Sequence, residues 1–329
     1  MVKAMASAAE VARLAGVSRS AVSRTFTPGS SVSAETRRKV LAAAEALNYH
    51  VNHLARGLSK QASRPVCILG GNLSAPYQAS LLDQISRRLH QAQRAVMVIN
   101  TDGGEQSADA ALRQTLNYRA AATIVLSGTP QSSLVETCLQ SGQQVILINR
   151  MGQFTGADNI EIDYTSVMAD AYQMLLQAGC QRLAVISSSV RSPSMVIREN
   201  QFLAAASEAP EPCRLVRAGP TRYQTGVAAA RELLAQGLRP DGVFCVTDLI
   251  ACGFIDAARY EFGLRIPEDI CVIGFDDIEQ AGWEGYQLTT FAQPLADMAD
   301  AIIELLLPAA APRQRLFQAQ PVWRNSVRR

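Results

Sequence analysis

Ser18-Arg19-Ser20-Ala21-Val22-Ser23-Arg24 sets two guanidinium groups and three hydroxyls within seven residues. At helical spacing Ala21 and Val22 turn to one side, while Arg19, Ser20, Ser23 and Arg24 share the other. Such a stripe of donors suits a polyanion, and an arginine fork matches the paired O6 and N7 acceptors of guanine. The surrounding charge agrees. Residues 1–64 hold ten Lys and Arg against three acids, a net +7, whereas residues 65–329 hold 21 against 26, a net −5. The whole-chain value of +2 conceals a basic end joined to an acidic body, which implies a nucleic-acid partner at one end.

Other chemistries are poorly supplied. The three histidines, His50, His53 and His90, all lie in the first third of the chain, so the rest has no imidazole for a metal site or a Ser-His pair. No G-x-G-x-x-G, phosphate loop, H-E-x-x-H or G-x-S-x-G occurs, and catalysis is disfavoured. No cofactor and no metal is expected. The seven cysteines are scattered, mostly inside apolar runs, and never spaced C-x-x-C, which reads as buried free thiols in a reducing compartment. No apolar run approaches the roughly 20 residues that span a bilayer, and the first thirty residues lack a signal-peptide core. A cytoplasmic, nucleoid-associated protein follows. A chain of 329 residues, 48% hydrophobic, is too long for one ordinary domain.

The donor stripe needs a frame. Ser7 and Glu10 fit a capping box opening a first helix with Val11, Leu14 and Ala15 inward, and Gly16 ends it. Val17 tucks the turn in, and Ser18 caps a second helix from about Arg19 to Phe26 with Ala21, Val22 and Phe26 inward. Pro28-Gly29-Ser30-Ser31 breaks the chain. Ser33 then caps a third helix whose buried face is Val40, Leu41, Ala44 and Leu47. Helix, tight glycine turn, helix and packing helix make a helix-turn-helix domain.

Glu10-Val11-Ala12-Arg13-Leu14-Ala15-Gly16-Val17-Ser18, Ala21-Val22-Ser23-Arg24, Val32-Ser33-Ala34-Glu35-Thr36-Arg37 and Leu47-Asn48-Tyr49 together resemble the headpiece of the lactose-repressor (LacI/GalR) family. The resemblance implies that the second helix enters the major groove and that Arg19, Ser20 and Arg24 read base edges. Arg24 fits a phosphate clamp almost equally well. Ser33, Thr36 and the helix start they occupy suit a phosphate, which sets position more than sequence. The full DNA-facing set expected is Ser7, Ser18, Arg19, Ser20, Ser23, Arg24, Ser33, Thr36, Asn52 and Leu58. Residues 51–64 are too short and glycine-interrupted for a stable isolated helix. By the resemblance they are a hinge helix that orders in pairs on an operator and wedges Leu58 into the minor groove; otherwise they are an ordinary linker.

From Pro65 onward apolar runs alternate with amphipathic helices: 66–69, 96–99, 123–126, 145–148, 183–186, 243–246 and 271–275. This βα pattern builds parallel sheets, too many strands for one, with a join near Ile160 to Asp163. Ligands of such sheets bind at the carboxyl ends of the strands. The family resemblance continues through Asn100-Thr101-Asp102-Gly103, Ile148-Asn149-Arg150, Asp163-Tyr164, Thr247-Asp248-Leu249-Ile250-Ala251, Ile273-Gly274-Phe275-Asp276-Asp277 and Leu288-Thr289-Thr290. It implies a multidomain chain with an all-α headpiece (1–50), a hinge (51–64) and an α/β body of two doubly wound lobes, like periplasmic binding proteins. The lobes would be 65–161 plus 292–321 and 162–291 plus 322–329, with crossovers near Phe291 and Pro321. Val322-Trp323-Arg324-Asn325-Ser326 resembles the family's last strand. No heptad extension follows, which favours a homodimer over a tetramer.

Matched to the family, effector contacts fall on Arg198, Thr247, Asp276 and Gln293, with weaker correspondences at Leu73, Ala75, Pro76, Asn149 and Thr221. Arg198 and Asp276 suit a polyhydroxylated ligand, since a carboxylate accepts from adjacent hydroxyls and a guanidinium donates in a fork. Read blandly, they form a structural ion pair, and Asp276 a strand-end cap. Three departures stand out: Thr247 where the family usually has Asn, Gln201 where a Gly commonly follows the arginine, and Thr221 where an aromatic often stacks on the ligand.

The resemblance thus implies a transcriptional regulator, most simply a repressor, on a pseudo-palindromic operator, controlled by a small sugar-like effector as inducer or corepressor. The competing readings are a cytosolic sugar-binding protein or a sugar- or nucleotide-processing enzyme on the same scaffold. Leu58→Ala is expected to weaken specific operator binding and leave effector binding intact; an unchanged gel-shift titration would eliminate the wedge.

Overall fold

Ser7 starts the first helix, α1 (Ala8–Ala15), through a capping box: its hydroxyl accepts from the Glu10 amide at 3.3 Å while its own amide donates to the Glu10 carboxylate at 2.7 Å. Gly16, at φ 65°, closes the helix from the left-handed region. α2 (Arg19–Thr25) and α3 (Ala34–Ala46) are capped by the hydroxyls of Ser18 and Ser33, which accept from the Ala21 and Thr36 amides. The computed structural model describes residues 6–27, 29–50, 64–101, 105–150, 154–209, 211–235 and 239–329. The chain divides into two compact units, Met1–Arg64 and Pro65–Arg329.

The small unit packs Val11, Ala12, Ala15, Val22, Val40, Ala43 and Ala44 into one core, edged by Phe26, Leu47 and Tyr49. Leu14 and Leu41, expected inward, are 57% and 46% exposed. Small residues take their places, Ala12 and Ala43, because three short helices packed closely have no room for more leucine at the seam. Thr25, not expected in the core, is buried, its hydroxyl donating to the Ala21 carbonyl at 2.9 Å.

In the large unit, β1 (Val66–Gly71), β2 (Val96–Thr101), β3 (Ala122–Val125), β4 (Gln144–Ile148), β5 (Asp158–Ile162) and β11 (Gln314–Phe317) form one parallel sheet in the order β11-β5-β4-β3-β1-β2. Its crossover helices are α4 (Pro76–Gln91), α5 (Glu105–Asn117) and α6 (Ser132–Gln140). Alternate residues of β3 and β4 enter opposite clusters, Ile124 and Ile146 on one face and Val125 and Leu147 on the other, so the sheet is buried on both sides. The second parallel sheet, ordered β7-β6-β8-β9, comprises β6 (Leu183–Ser187), β7 (Arg214–Arg217), β8 (Gly242–Cys245) and β9 (Cys271–Ile273). α7 (Tyr164–Gln177), α8 (Pro193–Ala205), α9 (Tyr223–Leu234) and α10 (Asp248–Tyr260) belong with it.

Two-way traffic between the sheets completes the unit. β5 lies in the first sheet and is followed directly by Asp163, whose side chain caps α7 by accepting from the Thr165 amide at 3.0 Å. β10 (Thr290–Ala292) and β12 (Gln320–Val322) run antiparallel, with Phe291 opposite Pro321, and flank α11 (Leu295–Leu305) and β11. Strand structure stops at Val322, short of the expected final strand. Ser326 instead docks by side chain and backbone, accepting from the Thr289 amide (2.7 Å) and donating to the Val272 carbonyl (2.6 Å). β7 and β11 were not anticipated, because edge strands carrying Arg214, Arg217, Gln314 and Arg315 break the apolar pattern. All seven cysteines are free, six of them buried.

α9 and α10 pack closely against each other. A Cβ on Gly226 would lie 1.9 Å from the Ile250 carbonyl oxygen, and one on Gly253 would lie 1.9 Å from that of Tyr223. Backbone meets backbone there, with no flexible side chain to yield. Gly226→Ala is expected to cost roughly 3 kcal/mol of stability, read from the urea midpoint of the full chain; an unmoved midpoint would show that the helices separate freely.

Candidate functional site

On α2 the burial of Val22 and Thr25 turns Arg19, Ser20, Ser23 and Arg24 outward, and all four are exposed. The Ser18 hydroxyl accepts from the Ala21 amide at 3.2 Å and lies 2.9 Å from the Ser20 hydroxyl. Arg24 Nε donates to the Ser20 carbonyl at 3.4 Å, which lays its guanidinium back along the helix. The Ser33 hydroxyl is shared with Thr36, donating to its Oγ1 (2.9 Å) and accepting from its amide (3.2 Å) at the start of α3. Ser7, at the start of α1, is exposed and donates its hydroxyl to the Glu10 carboxylate at 2.8 Å. Asn52 and Leu58 lie outside the described residues.

A cavity of about 530 Å³ opens in the large unit where the strands of both sheets end. Gly71, Thr101 and Asn149 reach it from β1, β2 and β4, and Thr247 and Asp276 from beyond β8 and β9. This is the side on which parallel α/β sheets take ligands, because the loops diverge there and helix N-termini face inward. Asn72, Asn149, Arg191 and Asp276 on its wall have φ of 53°, 55°, 51° and 117°. Left-handed backbone in residues with a Cβ costs free energy and persists where surrounding structure enforces it, commonly at ligand sites.

Arg198, on α8 and 3% exposed, organises the floor. Its Nη1 donates to the Val246 carbonyl (2.8 Å) and lies 3.2 Å from Asp276 Oδ1; its Nη2 is 3.4 Å from the Tyr164 hydroxyl. The guanidinium stacks 3.9 Å above the Phe275 ring. Its Nε is buried without a hydrogen-bond partner. Asp276 also accepts from Gln293 Nε2 at 2.8 Å, and Gln293 Oε1 accepts from the Tyr77 hydroxyl of α4 at 2.9 Å. A hydrogen-bonded chain thereby runs from the helix after β1 to the strand ends of the second sheet. Burial pushes the Asp276 carboxyl up to about 6 against the opposing pull of Arg198 and Gln293. Beneath it Asp248 accepts from the Ile278 amide (2.9 Å) and the Thr290 hydroxyl (2.5 Å). That fit requires Gly274, since a Cβ there would sit 2.1 Å from Asp248 Oδ1.

Of the residues expected at the ligand, Ala75, Pro76, Asn149, Arg198, Thr221, Thr247 and Asp276 line this cavity. Gln293 stands behind Asp276 as its donor. Leu73 does not line it: its side chain packs over Gly70 and into the core. Several wall positions are spent on structure. Asn149 Oδ1 accepts from the Ile162 amide (3.2 Å), the Thr221 hydroxyl donates to Met195 sulfur (3.3 Å), and Thr247 caps α10. Sequence reasoning missed Tyr77, Arg150, Arg191 and Arg222. Arg150 had the clearest signal, an arginine closing the apolar run 145–148, where a strand end would place it over the cavity.

Residues 8–52 match the family profile described as "Bacterial regulatory proteins, lacI family", and residues 172–327 match "Periplasmic binding protein-like domain". The regulator GalS of Salmonella typhimurium is 31% identical over 306 residues, covering 92% of this chain and 89% of that one. The chain belongs to the lactose-repressor (LacI/GalR) family. It is a DNA-binding transcriptional regulator with a helix-turn-helix headpiece and a periplasmic-binding-protein-like α/β body. The ribose operon repressor of Escherichia coli (strain K12) is 29% identical over 308 residues, 92% of each chain. In fold, the chain is similar to a lac repressor dimer bound to operator and the anti-inducer ONPF, with TM-score 0.86, 23% identity and coverage of 99% and 100%. It is also similar to the regulator CelR in complex with cellobiose, with TM-score 0.69, 23% identity and coverage of 98% and 99%. Among the described residues of this family member no helix is long and apolar enough to cross a membrane.

The Asp276 carboxyl sets a pH dependence. Its native value is raised above the ordinary 3.8, so in the window from about 4 to 6 the folded state holds a proton that the unfolded state has lost. Its contribution is therefore present at low pH and lost as pH rises through about 6. The stability difference between wild type and Asp276→Asn, from urea unfolding at successive pH values, should fall across that window and level off above it. A difference that is flat from pH 4 to 7 would mean that the carboxyl titrates normally.

Proposed function

We propose that this regulator is a homodimeric repressor of a pseudo-palindromic operator, whose DNA affinity is set by a small polyhydroxylated effector held in the body cleft. The reading divides the chain into headpiece 1–50, hinge 51–64 and two lobes, 65–161 with 292–321 and 162–291 with 322–329. It works without catalysis, in the cytoplasm at the nucleoid. The named relatives are regulators, among them a ribose operon repressor, and the lac repressor was solved as a dimer on its operator. The observation that carries the effector role is the buried Arg198–Asp276 pair, both residues lining the cavity at the strand ends. A hydroxylated ligand supplies acceptors to the guanidinium and hydroxyl donors to Asp276.

On the DNA side, Arg19 and Arg24 are the base readers, with Ser20 a permissive neighbour, and Ser18, Ser23, Ser33 and Thr36 face the backbone. Asn52 and Leu58 belong to the hinge contact. Coupling between the sites needs only an effector that binds one lobe arrangement better than the other. The Tyr77–Gln293–Asp276 chain supports that link, because a ligand on Asp276 competes for the oxygen that Gln293 holds.

Selection of random duplex DNA by the full chain is expected to enrich a two-fold symmetric sequence; enrichment of no sequence would overturn the DNA-reading role. Arg19→Ala should then relax preference at one symmetric pair of positions by about 1–3 kcal/mol, as for a bidentate contact. Equal weakening on every sequence would reassign Arg19 to phosphate.

A further inference from the structure

The body is acidic, at 21 bases to 26 acids, yet its cavity wall is the reverse. Arg150, Arg191, Arg198 and Arg222 line it, and Asp276 is the single acid there among the described residues. Arg198 and Asp276 pair with each other, which leaves three guanidinium groups without an ion pair among the described residues. Arg150 is the most telling. It is 3% exposed, and its Nε and Nη1 donate to the Gly128 (2.9 Å) and Asn149 (3.0 Å) carbonyls. A guanidinium buried against neutral acceptors is poorly compensated, and burial pulls it down to about 10 against the opposing effect of Tyr164. Arg191 and Arg222 are exposed, at the mouth of the same cavity.

The helix ends agree. α4 and α8 both start at a proline with no side-chain cap, and their first turns, Pro76 and Tyr77 on one and Pro193 and Ser194 on the other, line the cavity. α6, α9 and α11 likewise lack a side-chain cap, whereas serine, threonine or aspartate caps α1, α2, α3, α7 and α10; what sets α4 and α8 apart is that their first turns meet at one cavity. Uncapped first-turn amides carry partial positive charge and accept anions. The arginines match something a neutral sugar lacks. Thr221, whose hydroxyl is given to Met195, offers no aromatic platform for a sugar face.

We infer that the effector is anionic: a polyhydroxylated molecule that carries a phosphate ester or a carboxylate, received by Arg150 and steered by Arg191 and Arg222. Asp276 and Arg198 hold the hydroxylated part. The inference rests on the cleft being the effector site, and it narrows the ligand from sugars in general to sugar phosphates and sugar acids.

The test pairs neutral sugars with their own derivatives on the full chain by calorimetry: glucose, galactose, ribose and fructose, each against its phosphate monoesters and its sugar acid. Inorganic phosphate and acetate serve as fragment probes, read as thermal shifts against sodium chloride of equal ionic strength. At least one anionic member should bind about tenfold or more tightly than its neutral parent, an advantage that shrinks as salt screens it. Phosphate esters alone or acids alone would name which anion. Where Arg150→Gln folds it should abolish the advantage; Arg222→Gln, at an exposed position, should lessen it and increase the phosphate or acetate concentration needed for a shift. A neutral parent binding as tightly as its derivatives would overturn the anionic class and leave the cleft reading standing. Silence from every sugar, derivative and fragment probe would overturn both.

Discussion

Arg198 is a charge taken out of water, and the second lobe of this regulator is arranged around keeping it there. Removing a guanidinium from solvent costs several kcal/mol, and only well-aimed partners offset it. Four groups from three segments offset it: the Val246 carbonyl after β8, Tyr164 at the head of α7, and the Phe275 face and neighbouring Asp276 carboxylate after β9. Each constrains the next. Asp276 reaches the guanidinium from left-handed backbone, and the preceding Gly274 leaves room for Asp248, which fastens Ile278 and Thr290 from below. Gln293 then joins the cluster to Tyr77 and so to the first sheet's helix. A ligand touching this cluster perturbs groups held by both lobes, the physical requirement for a sensor.

The two units solve different electrostatic problems. The headpiece places its donors on exposed helix faces, where base edges and phosphates supply acceptors and water supplies them otherwise. Its core is seven small or β-branched side chains, enough to orient three helices and little more. The body buries polar groups instead and gathers partners around them, as at Arg198. Membership of the lactose-repressor family joins these halves in one regulator, and the cationic cavity wall sets the kind of molecule to which it answers.

What the chain determines by itself is local or strongly periodic. Ser7 with Glu10, Gly16, Ser18 and Ser33 punctuate the headpiece through contacts spanning three or four residues, so their outcome is written in neighbouring letters. The buried strands were legible for a related reason, since a strand covered on both faces must be apolar throughout, and the outward stripe of α2 follows from helical spacing alone. Resemblance carried the matched cavity residues Arg198 and Asp276, which periodicity does not mark. Tertiary packing decided the rest. Leu14 and Leu41 lost the core to alanines because closeness of approach is a property of three helices, not of one. Edge strands β7 and β11 hid behind their charges, and Leu73 turned into the core because Gly70 leaves it room. Arg150 shows the limit: its place after the apolar run 145–148 puts it at a strand end, but the cavity it faces is assembled from residues up to Ile278, far along the chain. Charge compensation acts through space, so whether an arginine is paired, solvated or waiting for a ligand is settled only when distant segments meet.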